Sequence, residues 1–513
     1  MPLVARGSQG VLDIVDPPAV ASNHGSLAAD GDMLATSLAD VDLHVAPRFS
    51  GSFVAQPATP LATVLANPAS FSVNKRAAVS SVVTVATDVE PFVDRLVQWR
   101  LDTPGCTDVE RPALHLNSAG ASLPTKRTVS AITEYIEFEA RNGGYEAADL
   151  VNDGKAVHGS IARLVHAEGP HEVALAESGR AAWASAFYGI PFQPGDVILT
   201  CLIEYGANYV AFLHLRDTKG VKLDMLPHRP DGTVDAAAVG RCLDEHGGRV
   251  RAVAVTHVPT HGGIVNPCEA IGREIRRWNE AHSMDPHRRV LYAVDACQSV
   301  GQIPIDVADM HCDILSATSR KFLRGPRGVG FVYVRNDVIP VLNPPTLDHY
   351  AADWIARDAY RMNATARRLE KWECSVALRL GLGAAVEYAL DVGLDTIWTR
   401  VRWLAAYLRT KLRAVPGVIL RDTGTDLCGI ISFSVAGWPA AELRTALQRT
   451  YYVNTTVSTV GQARIDLESR QLDDFNRASV HYYNSRDEVD RFVAAIAELA
   501  STHPPRVVDS AEV

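Results

Sequence analysis

The pattern of apolar and polar residues changes character near residues 112 and 376. Between these points, short apolar runs alternate with amphipathic stretches. The apolar runs predict strands, and the stretches between them predict helices. The predicted strands are 172–176, 197–201, 222–226, 250–256, 290–294 and 313–316, and the predicted helices are 179–189, 207–215, 234–246 and 269–281. Such alternation is typical of an α/β domain with a mainly parallel sheet, whose ligands bind at the carboxyl ends of the strands.

A different pattern follows from residue 376. Long amphipathic stretches predict helices, and shorter apolar runs predict strands between them. The predicted helices are 376–392, 395–415, 440–449 and 485–500, and the predicted strands are 418–420, 430–435 and 478–482. The run Ser485-Arg-Asp-Glu488 fits a capping box at the start of the last helix. We therefore predict a large domain over 112–375 and a smaller α+β domain over 376–505.

The first 95 residues have another composition. They are rich in Ala, Val, Ser, Pro and Asp, and they show no sustained helical period. This pattern predicts an N-terminal extension over 1–95 that is partly disordered or lies on the surface. A regulatory or oligomer-building arm is the alternative, and the sequence does not decide between them.

Composition narrows the class of protein. Of 513 residues, 47% are hydrophobic and 21% charged, as in a globular protein. The net charge is −9 and no basic block occurs, so we expect no nucleic-acid partner. No run approaches the ~20 apolar residues of a membrane helix, and the first residues lack a signal pattern. We expect a cytoplasmic protein with eight reduced cysteines, no CxxC pair and no metal site.

The strongest candidate chemistry lies around Lys321. A predicted strand delivers small hydroxyl residues, including Thr318, then Arg320 and Lys321, and a glycine-rich return follows. A desolvated lysine amine is nucleophilic and forms an imine with an aldehyde. The hydroxyls and Arg320 are suited to hold an anion beside it. A solvated lysine in a basic turn is the alternative.

Three more segments place charge at predicted strand or helix ends. Asp295 ends an apolar run, and a buried aspartate needs a positive partner unless it caps a turn. Ser178-Gly179-Arg180 stands between a strand and a helix, where free amides favour a phosphate. Arg477 opens another polar run, and a guanidinium grips a carboxylate through two hydrogen bonds.

These segments together resemble the class V aminotransferase and cysteine desulfurase family. The resemblance rests on the run 312–332 around the lysine, on Val294-Asp-x-x-Gln298, and on Arg477-Ala-Ser-x-x-x-Tyr-Asn484. It covers residues 112–500. It implies PLP fold type I, with a seven-stranded sheet in the large domain, and pyridoxal 5′-phosphate (PLP) as the cofactor.

The resemblance also implies roles for single residues. Lys321 would carry PLP as a Schiff base, Asp295 would face the pyridine nitrogen, and Gln298 the phenolic oxygen. Tyr205 would stack on the ring, and Arg477 would bind the α-carboxylate of an amino-acid substrate. The remaining family positions are Ser178, Gly179, Arg180, Thr318 and Arg320 around the phosphate, Thr260 beside the cofactor and Asn117 near the substrate.

A further segment of the resemblance concerns assembly. The run Arg368-Leu-Glu-Lys-Trp-Glu373 resembles the stretch that reaches the neighbouring subunit's cofactor phosphate in family dimers. We therefore expect a homodimer with shared active sites.

The choice of reaction depends on a cysteine. Desulfuration in this family uses a cysteine on a mobile loop of the small domain, and the matching run 451–464 has none. Cys428 is interpreted as a core residue. The runs 142–145, 204–208 and 319–328 resemble the branch with hercynylcysteine sulfoxide lyases and isopenicillin N epimerase-like proteins. We expect β-elimination from a cysteine-derived sulfoxide or thioether. Transamination or epimerisation is the alternative, and a non-catalytic PLP-fold regulator is a remote one.

Overall fold

The structure is a computed structural model that describes residues 89–107, 110, 112–151, 156–282 and 288–502. Most of the predicted extension over 1–95 lies outside the described residues. All the described residues fall in one compact unit, Ser72–Val513.

Fourteen α-helices occur in the described part of the chain, and they alternate with strands over most of its length. Their bounds are α1 Val93–Leu101, α2 Pro104–Thr107, α3 Lys126–Asn142, α4 Gly144–Leu150, α5 Ala156–Val165, α6 Gly179–Phe187, α7 Gly206–Lys219, α8 Val239–His246, α9 Cys268–Ala281, α10 Val376–Val392, α11 Leu394–Arg413, α12 Ala440–Tyr451, α13 Arg464–Ser469 and α14 Arg486–Thr502.

The strands form one large sheet, one smaller sheet and two short pairs. Their bounds are β1 Leu114–His115, β2 Val173–Ala176, β3 Val197–Thr200, β4 Lys222–Met225, β5 Val250–Thr256, β6 Leu291–Asp295, β7 Ile314–Thr318, β8 Gly330–Val334, β9 Ala352–Ala356, β10 Ala359–Met362, β11 Val418–Leu420, β12 Ile430–Val435, β13 Val453–Asn454, β14 Thr456–Ser458 and β15 Phe475–Ser479.

The large sheet has seven strands in the order β2-β8-β7-β6-β5-β3-β4. Only β8 runs antiparallel to the other six strands, so the predicted mainly parallel sheet is confirmed. Every residue of β5, β6 and β7 is buried, as expected for parallel strands covered by helices on both faces. In the register, Asp295 lies beside Thr256 of β5 and Ser316 of β7. Polar side chains from three strands therefore meet at one edge.

The smaller sheet is antiparallel, in the order β11-β12-β15-β14. The predicted strand over 478–482 is wrong in position, because β15 is Phe475–Ser479 and the chain turns at His481–Asn484. The strand β1 pairs in parallel with β13, so residues near 114 contact the second part of the chain. A boundary near residue 376 stays a proposal, supported by the separate sheets on either side.

Several local predictions can be compared with the structure. The capping box is confirmed, because Glu488 N–H donates to Ser485 Oγ at 3.1 Å and Ser485 N–H to Glu488 Oε2 at 3.1 Å. The predicted helix 234–246 is α-helical only from Val239, after a 3₁₀ turn. The helices α3 to α5 and the hairpin β9–β10 were not predicted. None of the helices within the described ranges is long and apolar enough to cross a membrane. A cytoplasmic location stays a prediction.

Candidate active site

One cavity lies at the carboxyl edge of the large sheet. All ten residues predicted to bind the cofactor line it, together with Asn208, Thr256, Val258 and Cys297. They come from the ends of β2, β3, β5, β6 and β7, as the rule for parallel sheets requires. The structure thus brings the predicted residues together, while the contacts that each makes with a ligand stay predictions.

Lys321 is buried in this cavity, with 9% of its surface exposed. Burial disfavours the charged amine and lowers the pKa of Lys321 to about 8, although Cys297 and Asp295 oppose the shift. The nearby guanidinium groups of Arg320 and Arg477 lower it further. Lys321 is therefore neutral, and nucleophilic towards an aldehyde, at a much lower pH than an ordinary lysine.

The carboxylate of Asp295 is held at both oxygens. Oδ1 accepts a hydrogen bond from Cys297 N–H at 2.9 Å, and Oδ2 accepts one from Asn208 Nδ2 at 2.8 Å. Asp295 is 5% exposed. No lysine or arginine of the described chain forms a salt bridge with it. A buried carboxylate in this state favours a ligand that brings positive charge, such as a protonated pyridine nitrogen.

The start of α6 also lines the cavity, through Ser178, Gly179 and Arg180. Ser178 Oγ caps the helix by accepting from Ala181 N–H at 3.0 Å. A Cβ atom on Gly179 would lie 2.8 Å from Cys297 Sγ and 2.9 Å from Thr318 Cβ, so the chain passes too close for a side chain. Arg180 Nη1 is buried and has no hydrogen-bond partner among the described residues. Free amides at a helix start and an unpaired guanidinium suit a phosphate.

Arg477 lies beside the cavity on β15. Its Nη1 donates to the carbonyl and, at 3.1 Å, to the hydroxyl of Thr260, and Nη2 lies 3.4 Å from Asn117 Oδ1. Gln298 Nε2 donates to the same hydroxyl at 3.2 Å. Burial, and then the charge of Arg320, lower the pKa of Arg477 to about 10. No acid in the described ranges pairs with Arg477, and its Nε has no partner there. A ligand carboxylate would satisfy it.

A segment that follows β14 packs beside the residue after Tyr205. A Cβ atom on Gly206 would lie 2.8 Å from the carbonyl oxygen of Gly461 and 3.0 Å from that of Gln462. The segment 459–463 therefore lies against the residue that follows Tyr205. This segment belongs to the run 451–464, which contains no cysteine.

Four lining residues were not predicted as site residues. Asn208 was quoted only as part of the run 204–208, and it lies in the first turn of α7, two residues after Gly206 begins that helix. Cys297 lies between Asp295 and Gln298, so its proximity to the site was readable from the sequence. Thr256 and Val258 carry no signal of their own, because strand-end residues of these types are common.

Taken together, the groups fit PLP. The cavity offers a buried amine for the aldehyde, an acid without a cation for the pyridine nitrogen, and a helix start with Arg180 for the phosphate. The fold and this site define a PLP-dependent enzyme of fold type I.

Comparison with known proteins agrees. The chain belongs to the family described as aminotransferase class-V, whose model matches residues 114–492.

Relatives in this family show how far the similarity extends. A probable cysteine desulfurase of Methanothermobacter thermautotrophicus is 26% identical over 396 residues, which cover 76% of this chain and 95% of the relative. The cysteine desulfurase of Dickeya dadantii is 27% identical over 402 residues, covering 76% and 92%. The solved cysteine desulfurase of Thermococcus onnurineus has a TM-score of 0.70 and 21% identity, and the match covers 82% of this chain and 100% of that one.

Proposed function

We propose that this PLP-dependent enzyme is a C–S β-lyase that cleaves the Cβ–S bond of a cysteine-derived thioether or sulfoxide. Several relatives are named cysteine desulfurases, which supports a sulfur-containing amino acid as the substrate. The observation that carries the proposal is the lack of a suitable thiol where a persulfide would form.

The cysteines near the site are poorly suited to form a persulfide. The run 451–464, which lies in part against the start of α7, contains no cysteine. Cys428 is fully buried, and burial raises its pKa to about 12. Cys297 lines the cavity, but burial and the charge of Asp295 raise its pKa well above the usual range. A thiol is a poor nucleophile compared with a thiolate. Elimination needs no such nucleophile.

The roles of the site residues follow from their positions. PLP, when bound, supplies the electron sink that makes the α-proton of an attached amino acid acidic. Arg477 would hold the α-carboxylate through two parallel hydrogen bonds and so fix the direction of the Cα–H bond. Lys321, with its lowered pKa, would accept the α-proton at Nζ. Loss of the sulfur group from Cβ and hydrolysis would then give pyruvate, ammonia and a free thiol or sulfenic acid.

The test uses the purified, PLP-loaded protein. Cysteine, S-alkyl cysteines and their sulfoxides are added in turn, and pyruvate release is followed beside the cofactor absorbance. Pyruvate release with the lysine-bound cofactor absorbance recovered after turnover is the expected result. Conversion to the pyridoxamine form without pyruvate would replace the proposal with a transaminase. Inversion of the α-carbon without pyruvate would replace it with an epimerase.

We also propose that the enzyme is a homodimer. The hairpin β9–β10 exposes Trp354, Ile355 and Tyr360 at 70%, 55% and 59%, and Trp372 nearby is 55% exposed. Clustered exposed aromatic residues on a two-stranded hairpin are typical of a surface that another chain covers. Arg368 itself is buried and donates to the carbonyls of Asn363 and Ile339, so it serves its own chain.

Light scattering after size exclusion tests the assembly. We expect the mass of two chains for the wild type and of one chain for Trp354→Ser with Tyr360→Ser. A wild-type monomer would contradict the dimer, and a variant that remains dimeric would place the interface elsewhere.

A further inference from the structure

Glu204 is a buried carboxyl group beside the cavity that the proposed reaction does not use. It precedes α7 and is 4% exposed. Its Oε1 accepts hydrogen bonds from Tyr205 N–H at 2.8 Å, from Asn208 Nδ2 at 3.0 Å and from Thr256 Oγ1. Its Oε2 accepts one from Thr200 Oγ1 at 3.1 Å. Four donors fix this side chain in one orientation.

Asn208 connects this carboxyl group to the one at the cavity. The same Nδ2 that donates to Glu204 donates to Asp295 Oδ2 at 2.8 Å. A side-chain amide has two N–H donors, so both are used on two buried carboxyl groups. Asn208 is 1% exposed, and water does not compete for these bonds. The orientation of Asp295 therefore depends on a residue that Glu204 holds in place.

We propose that Glu204 and Asn208 are positioning residues for the cofactor: Glu204 fixes the amide of Asn208, and Asn208 holds the Asp295 carboxylate towards the pyridine nitrogen of PLP. A hydrogen bond to a ring nitrogen is directional, and it weakens steeply when the acceptor swings away. The role goes beyond the proposed elimination, because it would serve any reaction of the bound cofactor.

Each element packed around Glu204 presents a different group to it. The end of β3 presents Thr200 and Cys201, whose Sγ lies 3.9 Å from Oε2. The ends of β5 and β6 present Thr256 and Asp295, and α7 presents Asn208 after the N-cap residue Tyr205. Burial raises the pKa of both Cys201 and Tyr205. Among these groups, Asp295 is the other carboxyl group that faces Glu204.

Glu204 and Asp295 thus form a pair of buried acids. Burial, and then the charge of Asp295, raise the pKa of Glu204 to about 7, although the surrounding hydrogen bonds oppose the shift. Glu204 is protonated below this pH and charged above it. A positively charged pyridine ring at Asp295 favours the charged form of Glu204. By linkage, the cofactor should bind more tightly as the pH rises through about 7.

The test measures cofactor affinity without chemistry. Apo-enzyme is titrated with pyridoxamine 5′-phosphate, which has no aldehyde for Lys321, between about pH 5.5 and 8.5. The variants are Asn208→Ala, which removes the bridge, and Glu204→Gln, which stays neutral. The control is Asn266→Ala, since Asn266 is an equally buried amide that donates to the Thr256 carbonyl at 2.8 Å and has no hydrogen bond to Asp295 among the described residues.

The expected results separate positioning from a general loss of packing. Asn208→Ala should weaken the binding of pyridoxamine 5′-phosphate about tenfold or more at every pH. A tenfold change in affinity has the same free energy as a pKa shift of about one. Glu204→Gln should match the wild type near pH 5.5 and bind about tenfold more weakly near pH 8.5. Asn266→Ala should lower the melting temperature without changing the affinity.

Two outcomes would overturn the proposal. Equal weakening by Asn208→Ala and Asn266→Ala would show that only packing is lost. A constant ratio between Glu204→Gln and the wild type across the pH range would show that Glu204 is not coupled to the cofactor. If Glu204→Gln does not fold, Thr256→Val removes a donor that lowers the pKa of Glu204. It should move the midpoint of the pH profile upwards, and an unmoved midpoint would contradict the coupling.

Discussion

The acidic groups and the arginines of the site differ in how many hydrogen-bond partners the chain gives them. Asp295 and Glu204 receive hydrogen bonds on every carboxyl oxygen. Arg180 and Arg477 each have a buried nitrogen without a partner in the part of the chain described. Within the same ranges, neither of them nor Arg320 forms a salt bridge with an acid.

This difference shows which contacts the fold makes for itself and which it leaves to ligands. A buried unpaired cation is costly, so it persists where a ligand anion completes it. An acid that must face one ring nitrogen gains from being fixed beforehand, because orientation is then not lost on binding. The two acids are thus fixed in advance by hydrogen bonds, and we propose that a phosphate and a carboxylate complete the two arginines.

Lys321 lines the same cavity, and its removal should have the largest effect. Lys321→Ala should abolish the visible absorbance of the lysine-bound cofactor and lower the rate at least about 10²–10⁴-fold, as expected for loss of the proton acceptor. PLP should still bind without a covalent bond, since Asp295 and the start of α6 with Arg180 remain. Absorbance spectra and the affinity of the apo-variant check this.

Lys222→Ala is the control, because Lys222 is an exposed lysine on β4. An unchanged visible band in Lys321→Ala would show that another residue carries the cofactor.

The pKa of Lys321 is lowered mainly by burial, and the neighbouring charges modify it. With a pKa of about 8, Lys321 is neutral in about 10% of molecules at pH 7, whereas an ordinary lysine is neutral in about 0.03%. The neutral amine attacks the aldehyde, so PLP incorporation into apo-enzyme should become about 50-fold faster between pH 6 and 8 and then level off. Arg477→Gln should move this midpoint upwards. Stopped-flow absorbance checks it, and a rate still rising steeply at pH 10 would contradict the lowered pKa.

A change of Arg477 tests the proposed contact with the substrate carboxylate. Arg477→Gln should raise KM for the amino acid about 30–100-fold, because charge-assisted hydrogen bonds to the carboxylate are lost. The affinity for PLP should change little. Steady-state kinetics measure KM, and a PLP titration measures the affinity for the cofactor. Arg486→Gln on the exposed start of α14 is the control. Weakened PLP binding with unchanged KM would assign Arg477 to the cofactor.

Much of this site was predictable because its polar residues directly follow the apolar runs that form strands. Asp295 and Lys321 follow apolar runs, and parallel strands with short connections deliver such residues to one edge. The sequence could not show that Asn208 bridges two acids, because the bridge joins residues 87 positions apart. Chemical type alone does not distinguish it from Asn266.

The shifted strand near the C-terminus has a physical reason. The sequence pattern predicted a strand over 478–482. In the structure, Tyr482 and Tyr483 instead pack on the buried guanidinium of Arg324, whose carbon lies 5.2 and 4.5 Å from the two ring centres. Arg324 Nη1 also donates to the Tyr482 hydroxyl at 2.6 Å. The turn is stabilised by a buried cation from a distant segment of the chain. The local pattern of apolar and polar residues does not show such a contact.

Arg180 gives the smallest expected effect and the sharpest contrast with Arg477. Arg180→Gln should weaken PLP binding by apo-enzyme about tenfold, since one charge-assisted contact to the phosphate is lost while the helix amides remain. KM for the amino acid, measured at saturating PLP, should stay near the wild-type value. Arg216→Gln on the exposed face of α7 is the control. If Arg180→Gln raised KM and left PLP affinity unchanged, both arginines would serve the substrate. The assignment of Arg180 to the phosphate and of Arg477 to the carboxylate would then be wrong.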